Sequence, residues 1–168
     1  HGSVDLKGKN AVINAESRGN LASEGIHVQN NDMTDTDHRA TVNVNTENTT
    51  IHADSALVAM SNSVLNVNSN LVTNGKNAIL TRGNSDVNIN MEGKHTTQLN
   101  GDIVFNYDKA SSGTDIDSNV NVNLNGEGSF WTGNTKAEWN NGNEGKPDAD
   151  KMKVSHMTLQ VENGAQWN

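Results

Sequence analysis

The chain has 168 residues and a formal net charge of −8, with its 12 basic residues scattered singly. This pattern excludes the basic patch that nucleic-acid binding requires, and no apolar run approaches the roughly 20 residues of a membrane span. Hydrophobic residues make up 32% and aromatic residues 4%, whereas asparagine occurs 29 times. Such low hydrophobicity favours disorder unless a regular pattern lets a narrow core form.

Short segments of alternating apolar and polar residues run through the whole chain. Alternation with a period of two indicates β-strands with one buried face, and no window has the spacing of an amphipathic helix. In chain order, strands are expected at residues 4–6, 11–15, 26–28, 40–44, 51–53, 56–60, 64–67, 71–72, 78–80, 87–91, 103–107, 120–124, 129–131, 137–139, 157–161 and 165–167. The predicted fold class is all-β.

One phrase of this alternation recurs at a nearly constant interval. Val42-Asn43-Val44-Asn45 returns as Leu65-Asn66-Val67-Asn68, as Val87-Asn88-Ile89-Asn90 and as Val120-Asn121-Val122-Asn123, in steps of 23, 22 and 33 residues. A second phrase, residues 8–13, returns 67 residues later at residues 75–80, which is about three such steps. Self-similarity at this period is typical of a solenoid.

Three short strands and three bends per turn fit the repeat, so we predict a right-handed parallel β-helix with coils of about 22 residues. A hairpin meander is the rival fold, because the Asn-Gly pairs at 74–75, 100–101, 125–126, 141–142 and 163–164 are also hairpin signals. Protruding loops are expected at residues 30–39, 109–118 and 140–151. Residues 1–168 are interpreted as a single β-helix segment of a longer protein, with residues 1–3 compatible with a cloning remnant.

Stacking the repeats predicts two outward columns of asparagine side chains. Amides in such columns can hydrogen-bond along the axis, and the resulting ladder offers donors and acceptors to another molecule. The plainer interpretation is that asparagine is a soluble residue tolerated on an exposed strand face. We take the columns as a candidate interaction surface, with Asn43, Asn66, Asn88 and Asn121 in the first and Asn45, Asn68, Asn90 and Asn123 in the second.

Other chemistry has weaker support in the sequence. Asp35 and Asp37 lie in an acidic segment that could ligate calcium, but it lacks the glycine and glutamate of an EF-hand loop. A solvated loop is therefore preferred, and neither a metal nor a cofactor is predicted.

Catalysis on a polysaccharide would need acids at matched positions of neighbouring coils. No pair among the acids nearest the regular coils recurs at the repeat spacing, so no catalytic residue and no enzyme activity are predicted; these acids are Asp86, Asp102, Asp108 and Glu127. Aromatic residues concentrate near the C-terminal end, where core packing is preferred over a sugar-stacking strip; they are Phe130, Trp131, Trp139 and Trp167.

The segments GSFWTG (128–133) and LQVENGAQW (159–167), the Asn/Gly-rich coils and the absence of cysteine resemble the passenger domains of type V autotransporters. The resemblance covers essentially the whole chain. It implies an upstream signal peptide, a downstream outer-membrane β-barrel, and a location at the cell surface, either anchored or released. It also implies adhesion, cell–cell aggregation or biofilm formation, with a host or bacterial surface receptor or a second copy as the partner.

Two alternatives to adhesion stay open at this point. A passive spacer would hold another domain away from the membrane and would need no binding surface. A polysaccharide-degrading enzyme is the third interpretation, and it would need a groove lined by acids and aromatic residues.

Overall fold

The computed structural model describes residues 2–32, 37–107, 118–139 and 155–168. Within these ranges all regular structure is β, which confirms the predicted class, and no helix of the described residues is long and apolar enough to cross a membrane. The strands are β1 (Ser3–Asn14), β2 (Glu24–Gln29), β3 (Ala40–His52), β4 (Ser55–Met60), β5 (Ser63–Val67), β6 (Asn70–Arg82), β7 (Ser85–Ile89), β8 (Thr97–Tyr107), β9 (Asn119–Asn125), β10 (Phe130–Thr132), β11 (Thr135–Trp139), β12 (His156–Glu162) and β13 (Gln166–Trp167).

The strands pair in parallel and form three stacks, which makes the molecule solenoid-like. The first stack contains the start of β1 and of β3, followed by β5, β7, β9 and β12. The second contains the end of β1 and of β3, the start of β6 and of β8, then β10 and β13. The third contains β2, β4, the end of β6 and of β8, and β11. Parallel pairing of these strands rules out the hairpin meander.

The repeated Val-Asn phrase is confirmed as a structural repeat. Val42 pairs with Leu65, Leu65 with Val87, and Val87 with Val120 in successive strands of the first stack. Val44, Val67, Ile89 and Val122 form the neighbouring column. All but the half-buried Val42 are at most 1% exposed and belong to one hydrophobic core. The other two stacks supply the rest of this core, for example Ile51, Leu57, Leu99 and Ile103. A core this narrow is filled by aliphatic side chains, which explains how so few hydrophobic residues suffice.

The second repeated phrase is not a structural repeat. Asn10 pairs with Asn48, which pairs with Asn70, so this part of β1 lies in the second stack. Asn77 pairs with Ser55 and lies in the third stack. The likeness between residues 8–13 and 75–80 therefore joins two different positions of the coil, and the three-step interpretation was wrong.

Paired residues are separated by 23 positions between β3 and β5 and by 22 between β5 and β7. The separation is 38 between β1 and β3 and 33 between β7 and β9, because additional residues are inserted there. The three longest connections all join the third stack to the first. They run from β2 to β3, from β8 to β9 and from β11 to β12. At the same corner, only two residues connect β4 to β5, and only two connect β6 to β7.

These long connections include the three predicted protruding loops. Residues 33–36, 109–117 and 140–151, which form most of these loops, lie outside the described residues. The described strands establish only where these loops begin and end, which is at one corner of the stack.

Two Asn-Gly pairs predicted as turns are bends inside strands. Gly75 lies within β6 and Gly101 within β8, and Gly133 lies over Gly101 in the next layer. An added Cβ at Gly101 would lie 2.6 Å from the carbonyl oxygen of Gly75, so the backbones approach too closely for any side chain. The pairs at 125–126 and 163–164 do form turns, with positive φ at Gly126, Asn163 and Gly164.

Trp131 fills the core above this glycine column. It is 1% exposed, its indole N–H donates to the carbonyl of Gly101 at 2.9 Å, and its ring stacks on Trp167 with centroids 5.1 Å apart. The prediction of core packing is therefore confirmed for Trp131, and Trp139 also packs against the core. Trp167 in the last layer is 56% exposed.

We predict that Gly75→Ala destabilises the protein by about 1–3 kcal/mol, because the new methyl group would overlap the carbonyl oxygen of Ala53 and force the two layers apart. Urea unfolding followed by circular dichroism measures the change. Gly2→Ala is the control, since nothing lies within 4 Å of a Cβ at that exposed position. Equal midpoints for the two variants would show that the close approach at Gly75 is unimportant.

Candidate interaction surface

The first predicted asparagine column is a continuous hydrogen-bonded ladder on the outside of the first stack. Asn121 donates to Asn88, Asn88 to Asn66, and Asn66 to Asn43, each from Nδ2 to Oδ1 at 2.9 Å. At the N-terminal end, Asn43 donates to a carboxylate oxygen of Asp5 at 2.7 Å. All four amides are half-buried, because each is packed between the layers above and below. The structure therefore brings these predicted residues together.

The second predicted column holds for only two of its four members. Asn68 donates to Asn45 at 3.1 Å, and on this outer face Asn45 is exposed and Asn68 is half-buried. Asn90 has a φ of 58° and is fully buried, and its Nδ2 donates to the carbonyl oxygens of His95 and Asn123. Asn123 is only 7% exposed. An outward column through Asn90 and Asn123 was therefore a wrong prediction.

The departure of Asn90 from the predicted outward column has a local cause. Asn90 follows directly after β7 and begins the connection that reaches β8 at Thr97, whereas only two residues separate β5 from β6. The longer turn needs a residue in the left-handed region at its start, and asparagine tolerates that conformation better than most residues. An amide in the turn also satisfies the His95 backbone N–H, which donates to Asn90 Oδ1 at 3.0 Å. The side chain is thus used to close the turn.

Further amide ladders were missed in the sequence. Asn70 donates to Asn48 and Asn48 to Asn10 on the second stack, at 3.2 and 3.0 Å. Shorter ladders of two residues occur at Asn62–Asn84, Asn74–Asn100 and Asn125–Asn163. Asn48 and Asn70, like Asn62 and Asn84, are 22 positions apart, so a search for asparagines at the repeat interval would have found both pairs.

One ion pair ties the third-to-first corner to the first stack. The Arg39 guanidinium donates to Asp86 at 2.7 Å and to the backbone carbonyls of Ser63 and Asn84 at 3.0 and 2.7 Å. Asn119 donates to the other oxygen of Asp86 at 2.9 Å. Arg39 therefore connects several successive layers, and the Asp86 carboxylate is engaged in structural contacts on both oxygens.

A second ion pair joins two layers of the third stack. Lys136 Nζ lies 2.7 Å from a carboxylate oxygen of Asp102, and the Asn134 backbone N–H donates to the other at 2.9 Å. The Lys136 hydrogen bond, followed by the Asn134 hydrogen bond, lowers the pKa of Asp102 below its usual value of 3.8. The same contact raises the pKa of Lys136.

The remaining candidates are spread over the structure. Glu127 and Asp37 are exposed, and Asp35 and Asp108 lie outside the described residues. Within the described ranges, no three histidine, aspartate or glutamate side chains form a group that could hold a metal ion.

The geometry defines a class of protein, a solenoid-like stack of parallel β-strands with asparagine ladders on its outer surface. No protein-family model, no curated protein and no solved structure matches the chain.

We predict that Asn66→Ala destabilises the protein by about 1–2 kcal/mol, because the substitution removes the bonds to Asn43 and Asn88 at once. Asn14→Ala removes an exposed amide at the end of β1 and should change the free energy of unfolding by a few tenths of a kcal/mol. Chemical denaturation of the two variants measures the difference. If Asn14→Ala were as costly as Asn66→Ala, the ladder would not stabilise the coils.

We predict that Lys136→Met raises the pKa of Asp102 toward its usual value, because the variant lacks the main hydrogen bond to the carboxylate. A native pKa below the unfolded one means that the pair stabilises the fold at neutral pH, and that this contribution is lost as the pH falls through the lowered pKa. Carbon-13 NMR titration of the carboxylates measures the shift. Lys9→Met removes the same charge from exposed β1 and should leave Asp102 unchanged.

Proposed function

We propose that the chain is a segment of a right-handed parallel β-helix from the passenger domain of an autotransporter-like bacterial surface protein. The parallel stacks support the solenoid, and the strong preference of parallel crossovers for right-handed connections supports the hand. The Asn/Gly-rich repeats and the absence of cysteine support the resemblance. In this proposal the protein is displayed at the cell surface or released, and it acts in adhesion, cell–cell aggregation or biofilm formation.

The observation that carries the adhesive role is the Asn43–Asn121 ladder. An amide has two N–H groups and two acceptor positions, and each internal rung uses one of each within the ladder. The remaining groups repeat along the axis at about 4.8 Å. Because the array carries both donors and acceptors, it is complementary to the same array on a second copy, or to a receptor with a similar polar repeat.

Magnitudes indicate what kind of adhesion this surface supports. A net hydrogen bond contributes about 1 kcal/mol, so four amide contacts give about 4 kcal/mol, which corresponds to millimolar affinity. Such contacts hold two surfaces together only when many molecules engage at once. The net charge of −8 opposes close approach of two copies, and salt screens that repulsion.

A passive spacer is the second candidate, and one observation favours it. The ladder bonds run between coils of the same chain, so they stabilise the rod without any partner. In that case the asparagines serve rigidity alone, and the protein would hold another domain away from the cell.

We predict that beads coated with the protein clump, and that clumping increases with ionic strength because the repulsion between copies is screened while the amide contacts persist. Asn45→Arg with Asn68→Arg should abolish it, because two long side chains would project beside the ladder. Clumping is measured by light scattering, with bare and albumin-coated beads as references.

Asn14→Arg with His52→Arg is the matched control. These two exposed residues are likewise neighbours in adjacent layers, and the charge change is the same, but they lie on the second stack. Clumping lost only in the Asn45/Asn68 variant would identify the ladder flank as the contact. No clumping at any salt concentration would exclude self-recognition and leave the spacer or a foreign receptor.

A further inference from the structure

On the outer surface of the second stack, the side chains of successive layers form a strip along the axis that is concave around Val72, and we call this strip the trough. Its floor is a single column of paired residues, one from each layer. Amide ladders border part of it, with Asn10–Asn48–Asn70 on one side in the layers of β1, β3 and β6, and Asn74–Asn100 on the other side in the layers of β6 and β8. The floor residues are, in order, Val12, Thr50, Val72, Gln98, Phe130 and Gln166.

The best-formed part of this trough is a groove of about 150 Å³ around Val72. Every side chain that lines it is uncharged, although the chain as a whole carries a net charge of −8. A charged polymer would find no counter-charge here, whereas a neutral ligand would not be repelled. The lining residues are Asn48, Thr50, Asn70, Leu71, Val72, Thr96 and Gln98.

Apolar and polar residues alternate along the floor. Val12, Val72 and Phe130 occupy every second layer, with Thr50 and Gln98 between them. Since layers are about 4.8 Å apart, the apolar positions repeat at about 10 Å. Gln98 is held to one side by its hydrogen bond to the Gly128 carbonyl at 2.9 Å.

We propose that this trough binds a neutral, extended, β-linked polysaccharide whose chain runs parallel to the solenoid axis. In such a polymer, alternate sugars present the same face, so the two-sugar repeat is close to the spacing of the apolar floor residues. The apolar C–H face of a sugar packs on Val72, and that of a sugar two units away packs on Phe130. This activity is independent of the Asn43–Asn121 ladder, because it uses a different face and a different partner.

The bordering amides supply the polar contacts. Asn48 donates one N–H to Asn10 and accepts one from Asn70, and Asn70 accepts the Thr96 backbone N–H at 2.9 Å. Each amide keeps a second N–H for a sugar hydroxyl. Because the ladder already fixes the amides, little side-chain freedom is lost on binding.

The test is titration calorimetry and NMR with cellohexaose as the extended β-linked probe and maltohexaose as the curled α-linked one. We expect binding of cellohexaose and at least about tenfold weaker binding of maltohexaose. Val72→Lys should weaken cellohexaose binding by about tenfold or more, because an ammonium group would have to lose water against an apolar sugar face.

Val64→Lys is the control, since Val64 is an outward, half-buried valine of the same coil on the first stack. It should bind cellohexaose like the parent protein, and circular dichroism should show both variants folded. No binding of cellohexaose, equal affinity for maltohexaose, or equal loss in both variants would overturn the proposal. Bead clumping of Val72→Lys reports separately on the ladder, so failure of one proposal is distinguishable from failure of the other.

Discussion

Every coil hydrogen-bonds to the next through parallel strands held in register, and the rest of the structure depends on this pairing. Parallel register places equivalent side chains about 4.8 Å above one another, so each column must contain residues whose side chains can stack on similar side chains. Aliphatic residues meet this condition inside, and glycine meets it where backbones approach closely. Outside, like charges would repel at this distance, whereas an amide carries both a donor and an acceptor and can repeat indefinitely. The abundance of asparagine follows from that requirement.

The sequence was sufficient to predict a residue's role wherever that role depended only on the column in which the residue lies. The Val42 and Val44 columns and the Asn43 ladder were predicted correctly because the same phrase occupies the same layer position in four strands. The prediction for Asn90 failed because the role of this residue is set by the length of the turn that follows it. That length is visible only once β8 is paired with β6. The repeat inferred from the likeness of residues 8–13 to residues 75–80 was wrong because short Gly-Lys-Asn phrases suit more than one corner of a coil.

Length variation is concentrated at the corner that joins the third stack to the first. The junction between the first two stacks is continuous strand in β1 and β3, and the junction between the second and third is continuous strand in β6 and β8. Insertions within those continuous strands would break backbone pairing, whereas a connection between separate strands accepts extra residues at little entropic cost. The outer surfaces of the first and second stacks therefore remain uninterrupted across five or more layers, one carrying the Asn43 ladder and the other the uncharged trough.

The amide ladders also give the rod an electrical direction. In every side-chain-to-side-chain hydrogen bond between two asparagines among the described residues, the later residue donates to the earlier one, so the amide dipoles align head to tail. As in a helix macrodipole, the aligned groups place partial positive charge at one end, here the end nearer the N-terminus. At that end of the Asn43–Asn121 ladder, the Asp5 carboxylate accepts a hydrogen bond from Asn43 and offsets the partial positive charge. Two such rods lying side by side would have the lower dipolar energy when they point in opposite directions.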